Sequence, residues 1–149
     1  MRMAAESRCL SRSYPAVPAS VAAVRYTVTE LASAAGATDE QLDGIRLAVS
    51  EAITNVVTHA YGDAQGRVEV TAAVVGGELM VLVADDGCGL LVRGDSPGLG
   101  LGLRWMAQLS DDLTVLSRPG GGLEVRLRFG LGSASEGAGG SAPRVALVR

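Results

Sequence analysis

The sequence of 149 residues contains no lysine, and all 13 of its basic residues are arginine. A Walker A phosphate-binding loop needs a lysine beside the phosphates, so this class of nucleotide site is excluded. Positive charge for an anionic ligand must come from arginine or from backbone N–H groups. The formal net charge of −3 provides no basic excess of the kind that attracts nucleic acids or acidic membrane surfaces.

Histidine, cysteine and long apolar runs are also scarce. The single histidine, His59, excludes a metal site built from several imidazoles, and Cys9 and Cys88 lie too far apart to form a CxxC pair. No apolar run approaches the roughly 20 residues that cross a bilayer. The N-terminal residues lack the apolar core of a signal peptide. We therefore expect a cytoplasmic protein.

Apolar residues make up 48% of the chain, enough for one domain with a sizeable core. Apolar positions that recur at intervals of three and four predict a helix over 20–35, with Ser20 as its N-cap, and a second helix over 38–61. Gly36 and Gly62 follow these segments and are expected to end the helices.

Further along the chain the apolar period changes to two, which predicts β-strands. Gly76 and Gly77 form the expected hairpin turn. The run over 79–84 is apolar throughout, so we expect a central strand covered on both faces. A loop over 85–102 and a short helix over 103–109 come next. The predicted strands occupy 67–71, 79–84, 113–117 and 123–129.

The order of helix, helix, strands, helix and strands predicts an α/β (α+β) two-layer sandwich, with helices packed on one face of a mostly antiparallel sheet. One domain is expected over 15–130. Residues 1–14 form an N-terminal segment that can supply an edge strand, and the Gly/Ser/Ala-rich residues 131–149 are expected to be a disordered tail.

Three polar residues on the second predicted helix form the first group of candidate site residues. Glu51, Asn55 and His59 recur at intervals of four, so they share one stripe, roughly 6 Å apart at successive positions. An asparagine oxygen suits Mg²⁺, and a glutamate can accept a proton from an attacking hydroxyl. Taken alone, a solvated helix face explains the spacing equally well.

The second group follows the apolar strand directly: Asp85, Gly87 and Gly89 in the pattern Asp-x-Gly-x-Gly. A carboxylate at the end of a buried strand can accept a hydrogen bond from an exocyclic amine. The glycines allow a ligand to approach the backbone closely. Taken alone, an ordinary Asp-Gly turn would also account for these residues.

The third group alternates glycine with leucine just before the predicted short helix: Gly98, Leu99, Gly100, Leu101 and Gly102. Such a segment exposes N–H groups at the positive end of a helix dipole, which favours phosphate binding. It is not the dinucleotide-binding fingerprint, because the required strand–turn–helix unit does not precede it.

In this order, the three groups resemble the N, G1 and G2 boxes of the GHKL superfamily of Bergerat-fold ATPases, over about residues 15–130. Within it, the strings EAITNVVTHAY and SRPGGGLEVRLRF are similar to the anti-sigma-factor serine/threonine kinases, the RsbW-like group. The resemblance implies the histidine-kinase-like ATPase fold, with ATP and Mg²⁺ as cofactors.

The resemblance also implies a role for each matching residue. Glu51 would be the catalytic general base, Asn55 the Mg²⁺ ligand and Asp85 the partner of the adenine amino group. Gly87 and Gly89 would shape the adenine pocket.

The segment 98–102 would wrap the phosphates, with Gly100 and Gly102 as the favoured match to the family's Gly-x-Gly. His59 would help to shape the site. Arg93 and Arg104 could each contact the phosphates or simply carry surface charge. Cys88 is interpreted as a small space-filling residue.

By the same resemblance, the chain would be an ATP-dependent serine/threonine protein kinase acting as an anti-sigma factor. It would phosphorylate a STAS-type anti-anti-sigma protein and sequester a sigma factor, without direct contact to nucleic acid or membrane, and it can form a homodimer.

Two other interpretations stay open. The first is a nucleotide-binding regulatory module without kinase activity. It is motivated by Leu123, which stands where the family often has a threonine, and by a short lid over 90–96. The second is a histidine-kinase catalytic domain, which is less favoured because the only histidine lies in the predicted ATP site.

Overall fold

The computed structural model describes residues 8–88, 99–132 and 144–148. In these ranges the chain forms three helices and six strands. In chain order they are β1 (Arg8–Pro15), α1 (Pro18–Ala34), α2 (Asp39–His59), β2 (Arg67–Val75), β3 (Glu78–Asp85), α3 (Leu99–Leu109), β4 (Asp112–Ser117), β5 (Leu123–Gly130) and β6 (Arg144–Val148).

The strands form a single sheet in the order β1-β2-β3-β5-β4-β6. All neighbouring pairs are antiparallel except β4 and β6, which are parallel. The expected edge strand in the N-terminal segment is present as β1, and the expected hairpin turn between β2 and β3 is also present. Gly76 and Gly77 adopt φ of 58° and 76° there, a region that glycine occupies without strain.

Helix α2 begins with a complete capping box. The Thr38 side chain accepts a hydrogen bond from Gln41 N at 3.2 Å, and the Gln41 side chain accepts one from Thr38 N at 2.9 Å. The predicted N-cap of α1 is wrong. That helix starts at Pro18, and the Ser20 hydroxyl donates to the carbonyl of Pro15 at 2.6 Å.

The hydrophobic core lies between the described helices and one face of the sheet, as the two-layer prediction requires. In β3 the side chains of Leu79, Val81 and Val83 are buried, whereas Met80 and Leu82 point to the opposite face and are only half-buried. The expectation of a strand covered on both faces is therefore wrong, because α1, α2 and α3 lie on one side only.

The uncovered face carries an ion-pair network that crosses three strands. The Arg128 guanidinium bonds to Asp112 at 2.7 Å through Nε and to Glu78 at 2.8 Å through Nη1. Hydrogen bonding to Asp112 raises the pKa of Arg128 above its usual value. The shift favours the charged guanidinium that the two carboxylates bind.

Two expectations about segment boundaries are corrected. The predicted loop over 85–102 ends early, because Leu99–Leu109 is helical and its first turn contains Gly100 and Gly102. The expected disordered tail contains β6, whose Val145 pairs with Leu113. Residues 133–143 lie outside the described ranges. No helix within those ranges is long and apolar enough to cross a membrane.

Candidate functional site

Glu51 and Asn55 lie in the second half of α2 and face the first turn of α3. Both are half-buried. A Cβ placed on Gly102 would lie 3.1 Å from Glu51 Oε2 and 3.3 Å from each terminal atom of the Asn55 carboxamide. The structure thus brings together residues from the first and third predicted groups. A side chain at position 102 would compete with both polar groups for the same space.

The start of α3 takes the place of the predicted glycine loop. Leu99, Gly100, Leu101 and Gly102 form its first turn, where the N–H groups have no partner within the helix and the helix dipole is positive. Tight packing against α2 explains why a glycine-rich segment with low helix propensity is helical here. Gly89 and Gly98 lie outside the described residues.

Asp85 is the last residue of β3, and only 2% of its surface is exposed. Its Oδ1 accepts a hydrogen bond from Gly87 N at 2.9 Å, so the carboxylate is oriented by the turn that follows it. A Cβ on Gly87 would lie 2.2 Å from the carbonyl oxygen of Ala60. Only glycine fits at position 87 in this arrangement.

Two further bonds hold the turn against the end of α2. Cys88 N donates to the Ala60 carbonyl at 2.7 Å, and the Cys88 thiol donates to the His59 carbonyl at 3.0 Å. His59 thus contributes its backbone to the arrangement, while the role of its imidazole stays a prediction. The polar stripe of α2 and the Asp85 turn form one connected unit.

Two residues that no sequence motif singled out as site candidates also contact this turn. The Arg118 guanidinium donates to the Asp85 carbonyl at 3.0 Å and to Asp86 Oδ1 at 2.9 Å. The Tyr61 hydroxyl accepts from Asp86 N at 2.9 Å and donates to the Arg67 carbonyl at 2.5 Å. Their positions at the ends of the two family-like strings were the available signal.

The remaining candidates occupy simpler positions. Leu123 begins β5 and is 4% exposed, so it belongs to the core. Arg104 is exposed, Cys88 is half-buried, and Arg93 lies outside the described residues. In the parts of the chain that are described, no three His, Cys, Asp or Glu side chains are grouped so that they could hold a metal ion.

A family model described as the histidine kinase-like ATPase domain matches residues 14–129, and the chain belongs to this family. It is similar to the anti-sigma F factor of Clostridium acetobutylicum, with 31% identity over 115 residues, which cover 70% of this chain and 80% of that protein. It is also similar to the serine-protein kinase RsbW of Bacillus velezensis, with 36% identity over 122 residues, which cover 71% and 76% of the two chains.

Among solved structures, the RsbU and RsbW domains of Rv1364c from Mycobacterium tuberculosis match with a TM-score of 0.66 and 25% identity. The match covers 83% of this chain but only 32% of that longer one. These comparisons confirm the predicted family and fold class. The predicted activity agrees with the names of the relatives, and the roles of individual site residues stay predictions.

Proposed function

We propose that this chain is an ATP-dependent serine/threonine protein kinase that acts as an anti-sigma factor. The observation that carries the proposal is the placement of Glu51 and Asn55 against Gly102 in the first turn of α3. A carboxylate, a carboxamide and a helix N-terminus thus converge in one place, in a chain of the histidine kinase-like ATPase family, which supports their use as base, Mg²⁺ ligand and phosphate site.

The buried Asp85 gives the nucleotide its second anchor. Its carboxylate accepts a hydrogen bond from the adenine amino group, while Gly87 shapes the pocket by letting the turn after β3 pack against Ala60. The backbone N–H groups around Gly100 and Gly102 bind the phosphates, which explains how a chain without lysine can hold a polyphosphate.

Asn55 is the residue that suits Mg²⁺, because its side-chain oxygen is a neutral hard donor. Since the described residues hold no cluster of three ligating side chains, the phosphates would supply further ligands. When bound, the ion neutralises charge on the transferring phosphoryl group.

Glu51 serves as the general base. It lies on the same face of α2 as Asn55, one turn earlier, and its carboxylate reaches the space beside Gly102. There it can accept the proton of a serine or threonine hydroxyl as that oxygen attacks the terminal phosphate. Phosphoryl transfer depends mainly on positioning and charge stabilisation, so one base and one cation site suffice.

The partners of this activity are a sigma factor, which the protein sequesters, and an anti-anti-sigma protein, which it phosphorylates. Support comes from the names of the relatives, anti-sigma F factor and serine-protein kinase RsbW. We further propose that the phosphate acceptor is a STAS-type protein and that the kinase acts as a homodimer in the cytoplasm.

Two matched pairs of variants test the proposal by calorimetry and by phosphoryl transfer to STAS-type proteins of the same organism. Asp85→Asn should abolish Mg·ATP binding, while Asp63→Asn, at an exposed position, should not. Glu51→Gln should bind Mg·ATP but transfer no phosphate, while Glu40→Gln, exposed at the start of α2, should retain transfer. A wild-type protein that binds no nucleotide would refute the proposal.

Leu123 motivates a second candidate function, a nucleotide-binding regulatory module without kinase activity. The family often places a threonine here to hold adenine through water, whereas this side chain is apolar and packed in the core. Saturable Mg·ATP binding together with sigma-factor binding, but without phosphorylation of any acceptor, would favour the module.

A further inference from the structure

Asp85 lies just beyond the last residue pair of the β3–β5 ladder, and its main chain is contacted there by the turn between β4 and β5. Strands β3 and β5 are paired up to Ala84 and Glu124, and Asp85 is the next residue of β3. At that point a Cβ on Gly122 would lie 2.0 Å from the Asp85 carbonyl oxygen, so the two chains are in close contact. Arg118 Nη1 donates to this same oxygen at 3.0 Å.

The guanidinium of Arg118 also contacts two carboxylates. Its Nη1 lies 2.9 Å from Asp86 Oδ1, and its Nη2 lies 4.0 Å from Glu69 Oε2. Arginine presents five N–H groups in a rigid fork, which allows one side chain to bind several acceptors at once. The side chain is 30% exposed, so most of it packs against the protein.

The backbone of Arg118 is itself fixed in the turn between β4 and β5. Its N–H donates to the Gly122 carbonyl at 3.2 Å, and its carbonyl accepts from Gly121 N at 3.1 Å. The guanidinium is therefore carried by a closed turn. A side chain carried by a closed turn loses less conformational entropy when it binds Asp85 and Asp86 than a side chain on an open loop would.

We propose that Arg118 is a positioning residue for adenine recognition. It fixes the main chain of Asp85 while Gly87 N orients the carboxylate through Oδ1, so that the carboxylate is held in one direction for the amino group. This inference rests on the proposed function, since that function assigns Asp85 to adenine. Arg118 itself touches neither the nucleotide nor the transferred phosphate.

Nucleobase selectivity follows from this arrangement. Adenine presents an amino group to a carboxylate, whereas guanine presents a carbonyl oxygen at the same ring position, and two acceptors repel each other. A site built to bind a particular polar group discriminates only while its own groups are held in place. Loss of the Arg118 contacts should therefore weaken ATP binding more than GTP binding.

The test measures dissociation constants for Mg·ATP and Mg·GTP by calorimetry, with thermal unfolding in parallel. Arg118→Gln should raise the dissociation constant for Mg·ATP about tenfold, because the turn loses hydrogen bonds from a charged donor. The dissociation constant for GTP divided by that for ATP should therefore fall, and it should fall less in Arg118→Lys. The matched control is Arg126→Gln on β5, whose guanidinium pairs with Glu124 instead of the turn. It should change neither constant.

The outcomes separate this inference from the proposed function. If the wild type binds no Mg·ATP, the proposed function fails. If the wild type binds it and Arg118→Gln has unchanged constants, only the positioning role is overturned. Failure of both Arg118 variants to fold would also overturn it, because Arg118 would then be needed for the fold as a whole.

Discussion

Cys88 N donates a 2.7 Å hydrogen bond to the carbonyl oxygen of Ala60, which joins the turn after β3 to the end of α2. The proposed adenine anchor and the proposed base are thus mechanically connected. A change that separates the turn from the helix should disturb both ends of the nucleotide site together.

The substitution Gly87→Ala should push the turn after β3 away from the end of α2. Its Cβ would stand 2.2 Å from the Ala60 carbonyl oxygen, so the turn or the helix must move. We expect a loss of roughly 1–3 kcal/mol in the free energy of unfolding, as for other overpacked positions. We also expect a large loss of nucleotide affinity. Urea unfolding and calorimetry measure the two effects, and wild-type values in both would show that the turn is not held against α2.

Gly102→Ala should separate stability from activity. Alanine favours a helix by about 1 kcal/mol over glycine, which should offset the cost of crowding. Its Cβ would lie 3.1 Å from Glu51 Oε2, so the carboxylate must shift. We expect a nearly unchanged free energy of unfolding, while the rate of phosphoryl transfer falls at least several-fold.

Gly44→Ala provides the control for this prediction. It is the same change within α2, where the new Cβ would meet only the Leu109 carbonyl oxygen at 3.6 Å, an ordinary contact. This variant should be slightly more stable than the wild type and equally active. Full activity in Gly102→Ala would show that Glu51 does not need the space beside that residue.

Tyr61→Phe removes a hydroxyl that bridges Asp86 N and the Arg67 carbonyl. We expect a loss of roughly 1–3 kcal/mol in the free energy of unfolding, about twice the value typical of one hydrogen bond, because the hydroxyl makes two. We also expect weaker Mg·ATP binding, because the Asp85 turn loses a support. Tyr26→Phe is the matched control, since Tyr26 is 68% exposed and its ring should tolerate the change. Equal melting temperatures for the two variants would contradict the bridging role.

Truncation after Gly132 removes β6 but retains the bonds that Gln41 makes to Gly132. Amide hydrogens of β4 that face β6 should then exchange faster, while those of β2 should not change. Mass spectrometry of peptide fragments measures this difference. Unchanged exchange in β4 would indicate that the parallel pair does not persist in solution.

The sequence predicted the helical and alternating segments well, because each has a long periodic pattern with clear end signals. Glu51, Asn55 and Asp85 were singled out because polar residues stood out beside apolar ones, and their roles stay predictions. Arg118 was missed, since the family-like string that contains it gives no indication of a partner 33 residues away.

Tertiary contacts explain the remaining differences. The start of α3 was placed too late because the two glycines at 100 and 102 argue against a helix, and only packing on α2 overrides that preference. Strand β6 was missed because its five residues follow a segment whose glycine and serine content indicates disorder.

The bonds that shape the Asp85 turn join residues distant in the sequence: Asp86 to Tyr61 across 25 positions, Cys88 to His59 across 29 and Arg118 to Asp85 across 33. During synthesis, the ribosome must therefore release the chain beyond residue 118 before all three bonds, and the pocket around the turn, can form. Nascent chains should be insensitive to ATP until that point. In the completed protein, nucleotide binding would stabilise the whole fold against unfolding and proteolysis, since only the native state contains the pocket.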